Sequence, residues 1–197
     1  MNKRLIFVDI DETLFFTKAL IYVRDKNTKK ILKKLSNKEF NTYKLKNNEE
    51  FSFEEFRSSD IFVEGSSPNK IMIYIVNELF KKGAEVALLT ARQDFDNKDK
   101  LIEYLKKFGL NIGHYKNKDI HIIRTGNYIN IDSTAERKKY IVNKILEKRI
   151  NDFDEIVLYD DNEENLNKFY ELQNEFKNKK FFTFKVEGNN IIPYKGF

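Results

Sequence analysis

The chain has 197 residues, 41% hydrophobic and 34% charged, with a formal net charge of +5 and no cysteine. That balance excludes global disorder and suits one domain carrying an insertion, large enough to bury a substantial core. Disulfides, disulfide-linked partners, thiolate nucleophiles and cysteine-ligated metals are excluded, and no apolar run approaches the roughly 20 residues of a membrane span.

The first element runs straight into carboxylates. Leu5-Ile6-Phe7-Val8 suits a strand covered on both faces, and Asp9-Ile10-Asp11-Glu12-Thr13 follows it. In open α/β sheets, ligands gather beyond the carboxyl ends of such strands. Taken alone, an Asp-x-Asp there reads at least as well as a solvated acidic turn. The basic start resembles a signal peptide, but Asp9 ends the apolar stretch after four residues, so a cytoplasmic protein is expected.

Residues 16–66 do not read as the next helix of a simple α/β sheet. Segment 19–23 predicts a strand, Asp25-Lys26-Asn27 a turn, and 30–32 the return strand of a hairpin. Ser36 and Ser52 stand as helix N-caps, each with a glutamate, Glu39 and Glu55, at capping-box spacing. The aromatics Phe40, Tyr43, Phe51, Phe53, Phe56 and Phe62 are expected to form a small core rather than a substrate cage.

Pro68 is placed in the first turn of a helix whose apolar face is Ile71, Ile75, Leu79 and Phe80 and which ends near Gly83. A buried strand over 85–89 then delivers Thr90-Ala91-Arg92. A helix over 98–108 follows, with Leu101, Ile102, Leu105 and Phe108 on one side and Gly109 as its stop. A third strand is expected at 120–123, and Ser133 caps a helix reaching about residue 148. Ile141, Val142, Ile145 and Leu146 define its buried face, whose mean direction falls almost on Lys138. Lys139 points about 100° away. The fourth strand, 155–159, ends in Asp160-Asp161-Asn162, and a helix over 163–175 with a strand over 180–186 closes the pattern. The expected fold is α/β, a Rossmann-like doubly wound parallel sheet, with core segments 1–15 and 67–197 and a small insertion, 16–66, after the first strand.

Taken together, the strand ends and the helix bring Asp9, Asp11, Thr90, Lys138, Asp160 and Asp161 to one place. Carboxylates without cysteine or a histidine pair favour a hard cation such as Mg²⁺. His114 and His121 lack metal-ligand spacing and are expected to be structural or surface residues. A lysine and a metal would offset repulsion among the acids and, with a hydroxyl, hold a phosphoryl group for attack. The positive net charge would help capture a phosphorylated ligand, although the lysines form no tract typical of nucleic-acid binding.

DIDET at 9–13, LLT at 88–90, AERKK at 135–139 and LYDDN at 158–162 resemble the four motifs of the haloacid-dehalogenase-like phosphohydrolase superfamily, in order, across the whole core. The FNTYKL, EEFR and LTARQDFD segments are more loosely similar to small phosphatase-like members encoded by tailed phages. The resemblance implies a cap-like role for 16–66 and a Mg²⁺-dependent phosphomonoesterase. Asp9 would be the nucleophile that forms an aspartyl-phosphate, Asp11 the general acid and base, Thr90 a donor to the phosphoryl group, and Lys138 its neutralising partner. Metal ligands would be Asp9, Asp161 and the Ile10 carbonyl, with Asp160 orienting Lys138 or a metal-bound water. Glu12 stands where glycine is frequent in the family and glutamate also occurs. Thr13 would fix the turn after the nucleophile, and Arg92 would either bind a second substrate phosphate or make a salt bridge at a helix start. The substrate would be a nucleotide or a nucleic-acid terminal phosphate, in the host cytoplasm if phage-encoded. A small metabolite phosphate and a non-catalytic binding module are the alternatives.

Overall fold

The computed structural model describes residues 3–40, 42–113, 120–131 and 133–197. Its centre is a sheet of β1 (Arg4–Val8), β7 (Glu85–Thr90), β8 (His121–Arg124), β9 (Glu155–Asp160), β10 (Lys180–Glu187) and β11 (Asn190–Lys195), in the order β11-β10-β9-β1-β7-β8. All neighbours pair in parallel except β10 and β11, which form an antiparallel hairpin at one edge. The sequence predicts β10 but not β11. Asn190–Lys195 has no buried stripe of its own, its residues being half-buried or exposed, so hydrophobic periodicity gives it no signal.

The apolar run of β1 divides by parity. Ile6 and Val8 join one core with Val86 and Leu88 of β7, while Leu5 and Phe7 join the other with Ala87 and Leu89. Successive strand side chains point to opposite faces, and both faces are covered by helices, so neither parity can be polar. Helices α3 (Lys70–Lys81) and α4 (Lys98–Lys106) contribute Met72, Val76, Leu101 and Leu105 to the first core. Helices α5 (Thr134–Arg149) and α6 (Glu163–Tyr170) contribute Val142, Leu146, Leu166 and Phe169 to the second. From β1 the chain moves outward through β7 to β8, then returns to the opposite side of β1 as β9. The crevice at β1 and β9 is therefore the reversal point of the sheet, where α/β folds leave room for a ligand.

Residues 16–66 leave and rejoin this core through a short antiparallel ribbon, β2 (Phe15–Phe16) against β6 (Ser67–Pro68). The predicted hairpin is present as β3 (Ile21–Asp25) and β4 (Ile31–Leu35), and a third strand, β5 (Glu49–Ser52), pairs with β3 on its other side. Ser36 makes its capping box at the four-residue α1 (Asn37–Phe40): the Ser36 amide donates to Glu39 Oε2 at 2.9 Å and the Glu39 amide to Ser36 Oγ at 3.3 Å. Ser52 is instead the last residue of β5. Its glutamate, Glu55, lies in a 3₁₀ turn and accepts from the Leu20 amide at 2.6 Å, stitching the insertion together. The helix that follows, α2 (Ser59–Gly65), is capped by Ser58.

Other expectations are corrected by tertiary contacts. Pro68 ends the ribbon rather than opening a helix, and Asn69 is the cap of α3: its Oδ1 accepts from the Met72 amide, while Nδ2 donates to the carbonyls of Thr13 at 3.1 Å and Gly188 at 2.8 Å. Ile71 is exposed, because Met72, Ile73 and Val76 carry the packed face of α3. Phe40, Tyr43, Phe51 and Phe56 pack on buried Ile21, Val23 and Leu35 as the expected small core, but Phe62 sits in the main core and Phe53 is 44% exposed. The helix expected over 163–175 is α6 followed by a 3₁₀ turn, Glu171–Asn174. His121 opens β8, and His114 lies outside the described residues. No helix among the described residues is long and apolar enough to cross a membrane.

Candidate active site

β1, β7 and β9 end side by side, and the Asp9 amide continues the ladder by donating to the Tyr159 carbonyl at 2.9 Å. This register puts Asp9 beside Asp160. From above, α5 lowers Lys138 onto both: Nζ donates to Asp9 Oδ1 and to Asp160 Oδ2, each at 2.6 Å. Lys138 is 2% exposed, whereas Lys139 turns outward to Glu171 at 2.8 Å. Helix phase alone distinguishes the two lysines. Asp160 is held from its other oxygen by the Asn162 amide at 3.0 Å and Asn165 Nδ2 at 2.9 Å, which fixes its orientation toward Lys138. Asn165 was not legible as a site residue. It sits one turn into α6, and only the fold shows that this turn faces the end of β9.

Carboxylate oxygens of Asp9, Asp160 and Asp161 lie within 4.8 Å of one another. Burial raises the Asp9 carboxyl well above its usual range, and the charges of Asp160, Asp161 and Asp11 add to this against the pull of Lys138. Burial and then the charge of Asp160 push the Asp161 carboxyl up to about 7. Burial disfavours the Lys138 ammonium, but Asp160 and Asp9 outweigh it and hold its pKa above the ordinary lysine value. One ammonium among three carboxylates leaves negative charge uncompensated, and oxygen donors at this spacing fit a hard divalent cation. Lys138 occupies Oδ1 of Asp9, and Oδ2 receives no hydrogen bond from the described residues.

Arg92 is where the geometry departs most from expectation. It is 2% exposed, and its guanidinium grips Asp11 with two bonds, Nε to Oδ2 at 2.8 Å and Nη2 to Oδ1 at 2.6 Å. Nη1 donates to the Phe56 carbonyl at 2.8 Å, and the group lies over the rings of Phe56, Phe62 and Phe95 at 4.6 to 5.2 Å. The guanidinium thus joins Asp11 to the insertion, and its fork is already occupied. The salt bridge it makes is to Asp11, not one at a helix start.

Three further residues stand differently from their expected places. The Ile10 carbonyl accepts from the amides of Leu14 at 3.0 Å and Phe15 at 2.8 Å, so its two lone pairs serve the turn rather than a metal. Thr90 is fully buried and its Oγ1 accepts from the Arg92 amide at 3.1 Å; the cavity wall beyond β7 is formed by Ala91, Arg92 and Gln93. Thr13 Oγ1 is buried with no partner among the described residues, so the Thr13 side chain does not tie the turn. That work falls to backbone bonds and to Glu12. With φ of 58°, Glu12 occupies the left-handed region that favours glycine, while its Oε1 accepts from the Thr17 amide at 3.2 Å and from Asn37 Nδ2 at 3.1 Å.

These groups share a cavity of about 830 Å³ between the strand ends and the insertion. The core side presents Asp9, Asp11, Lys138 and Asp161, and the insertion side presents Phe40, Phe51, Phe53 and Phe56. Gly126 closes the floor next to Arg92. A Cβ there would lie 2.3 Å from the Ala91 carbonyl oxygen, so the close approach of the two loops requires glycine. Comparison of the chain with protein-family models, curated proteins and solved structures finds no match in any of the three.

Proposed function

We propose that the chain is a Mg²⁺-dependent phosphomonoesterase of the haloacid-dehalogenase-like type, with residues 16–66 as its cap, acting on a nucleotide or a nucleic-acid terminal phosphate. The observation that carries this reading is the cluster of Asp9, Asp160 and Asp161 at the ends of β1 and β9, with a buried Lys138 bonded to the first two. Asp9 Oδ2 attacks phosphorus, the bond to the leaving oxygen breaks, and an aspartyl-phosphate results. Asp11 gives the leaving oxygen its proton and then takes one from the water that releases phosphate. Lys138 neutralises charge on Asp9 and on the phosphoryl oxygens from a buried position. A magnesium ion held by Asp9 and Asp161, with Asp160 beside it, would supply further charge neutralisation at the phosphoryl group. The Thr90 hydroxyl accepts from the Arg92 amide in this arrangement and supports the loop that carries Arg92.

The deciding experiment is phosphate release from an aryl phosphate, mononucleotides, end-phosphorylated oligonucleotides and sugar phosphates, with Mg²⁺ and with chelator. Turnover that requires Mg²⁺ and vanishes in Asp9→Asn is expected. Undiminished turnover in purified Asp9→Asn would remove the mechanism, and activity confined to sugar phosphates would replace the substrate class. Phosphate release itself would exclude a non-catalytic binding module.

A further inference from the structure

The same cavity holds two arginines that the proposed chemistry does not use. Arg57 comes from the 3₁₀ turn Glu54–Arg57 of the insertion, and Arg137 from the first turn of α5, one residue before Lys138. The two other cations described at the site are paired: Lys138 binds two carboxylates and Arg92 grips Asp11. Neither Arg57 nor Arg137 has a carboxylate partner among the described residues. Of the glutamates near them, Glu54 pairs with Arg24 at 2.5 Å and Glu136 with Lys168 at 2.8 Å, while Glu164, which also lines the cavity, forms no ion pair with either arginine. Among the described residues the Arg137 side chain makes one hydrogen bond, Nη2 to Thr134 Oγ1 at 3.1 Å, and its Nε is buried with no partner. A buried guanidinium N–H without an acceptor costs free energy unless a ligand supplies one. Guanidinium groups are the side chains best matched to phosphate oxygens.

The cavity that these arginines share with the carboxylates is also lined by aromatic rings. Phe40 stands edge-on to Phe51 at 4.8 Å and to Phe53 at 5.5 Å, and Phe53, 44% exposed, continues to Phe56 at 6.2 Å. An exposed phenylalanine ring on a cavity wall is a stacking surface for a planar group.

We infer that Arg57 and Arg137 bind a second phosphate of the substrate, so that the preferred ligand is a nucleotide carrying two separate phosphates, one at Asp9 and one at the arginines, with its base against Phe53. This rests on the reading of Asp9 as the phosphate-facing group. A nucleoside 3′,5′-bisphosphate and the phosphorylated end of a strand share this chemistry.

The test is calorimetric binding to Asp9→Asn, and to the unaltered protein with chelator, so that no ligand is consumed. The probes are a nucleoside 5′-monophosphate, a nucleoside 3′,5′-bisphosphate, a 3′-phosphorylated dinucleotide and a sugar bisphosphate. At least one two-phosphate nucleotide should bind about tenfold more tightly than the monophosphate, as expected for charged hydrogen bonds. That advantage should fall to near onefold in a variant also carrying Arg57→Gln and Arg137→Gln, with folding checked by circular dichroism. Tighter binding of the dinucleotide than of the free bisphosphate identifies a strand end as the source; the reverse identifies the free nucleotide. Equal affinity for one and two phosphates, or an advantage that survives both arginine substitutions, overturns the inference. A sugar bisphosphate binding as tightly as the nucleotide overturns the role of Phe53. Binding of this pattern without turnover by the unaltered protein would count against the phosphatase reading alone.

Discussion

The strand ends and the insertion meet across one cavity but are built on opposite physical terms. At the strand ends, charge is buried and held: Lys138, Asp9 and Asp160 are at most 5% exposed, and each bond between them is 2.6 Å. In the insertion, the cavity side is an edge-to-face set of phenylalanines over a small core of Ile21, Val23 and Leu35, with Arg57 beside them in the lining. The first region is expensive to disturb because any deletion strands a buried charge. The second is cheap to alter, which suits it to selecting a ligand rather than transforming one. Arg92 is the joint between them, rooted in the loop after β7, bonded to Asp11 and to the Phe56 carbonyl.

The comparison can be broken most severely at Lys138. Lys138→Met should cost about 3–5 kcal/mol in urea unfolding, since Asp9 and Asp160 lose the cation they share. A loss under about 1 kcal/mol would mean that the acids are not paired as described. The neighbouring Lys139→Met removes only a half-exposed pair with Glu171 and should cost less than about 1 kcal/mol.

Arg92→Ala comes next. Freed from its fork, Asp11 would sample positions unsuited to proton transfer, and kcat should fall on the order of 10²-fold with a smaller change in KM. Arg92→Lys keeps the charge but not the two parallel bonds and should recover only part of the loss. Full recovery by lysine would show that charge, not orientation, is what Arg92 supplies.

The pH dependence of metal-free protein offers a milder probe. Asp161 has a folded pKa of about 7, above its ordinary 3.8, so the folded state holds its proton more tightly than the unfolded state does. The associated stability is present below about pH 4 and is lost as pH rises through about 7. The proposed Mg²⁺ would bind the ionised form, so the rise in melting temperature it produces should grow across the same window. A Mg²⁺ effect that stays constant from about pH 5 to pH 8 would contradict a metal at Asp161.

The smallest effect on stability is expected in the insertion. Phe53→Ala, at a residue 44% exposed, should cost about 1 kcal/mol or less yet raise KM for nucleotides about tenfold. An unchanged KM would reduce the aromatic wall to packing.

How much of this was legible in the sequence follows from the range of the forces involved. Strand parity and helix phase are local, so Leu5 to Val8 reveal a strand covered on both faces, and the buried stripe of α5 singles out Lys138 over Lys139. Once the order of strands is assumed, Asp9, Asp160 and Asp161 fall together, because Asp9 follows β1 and Asp160 closes β9, its parallel neighbour, with Asp161 next in the chain. Only the tertiary structure could show that Arg92 is spent on Asp11 across 81 residues of chain, or that the Ile10 carbonyl is consumed by its own turn. The same is true of Arg57 and Arg137, which come from distant segments to one cavity with no carboxylate partner among the described residues, since nothing in the spacing of residues records which side chains a folded chain will bring face to face. Local periodicity determined the elements and the chemistry at their ends. Which of those groups remain open to a ligand was decided by long-range contacts, because hydrogen-bond capacity is finite and the fold allocates it.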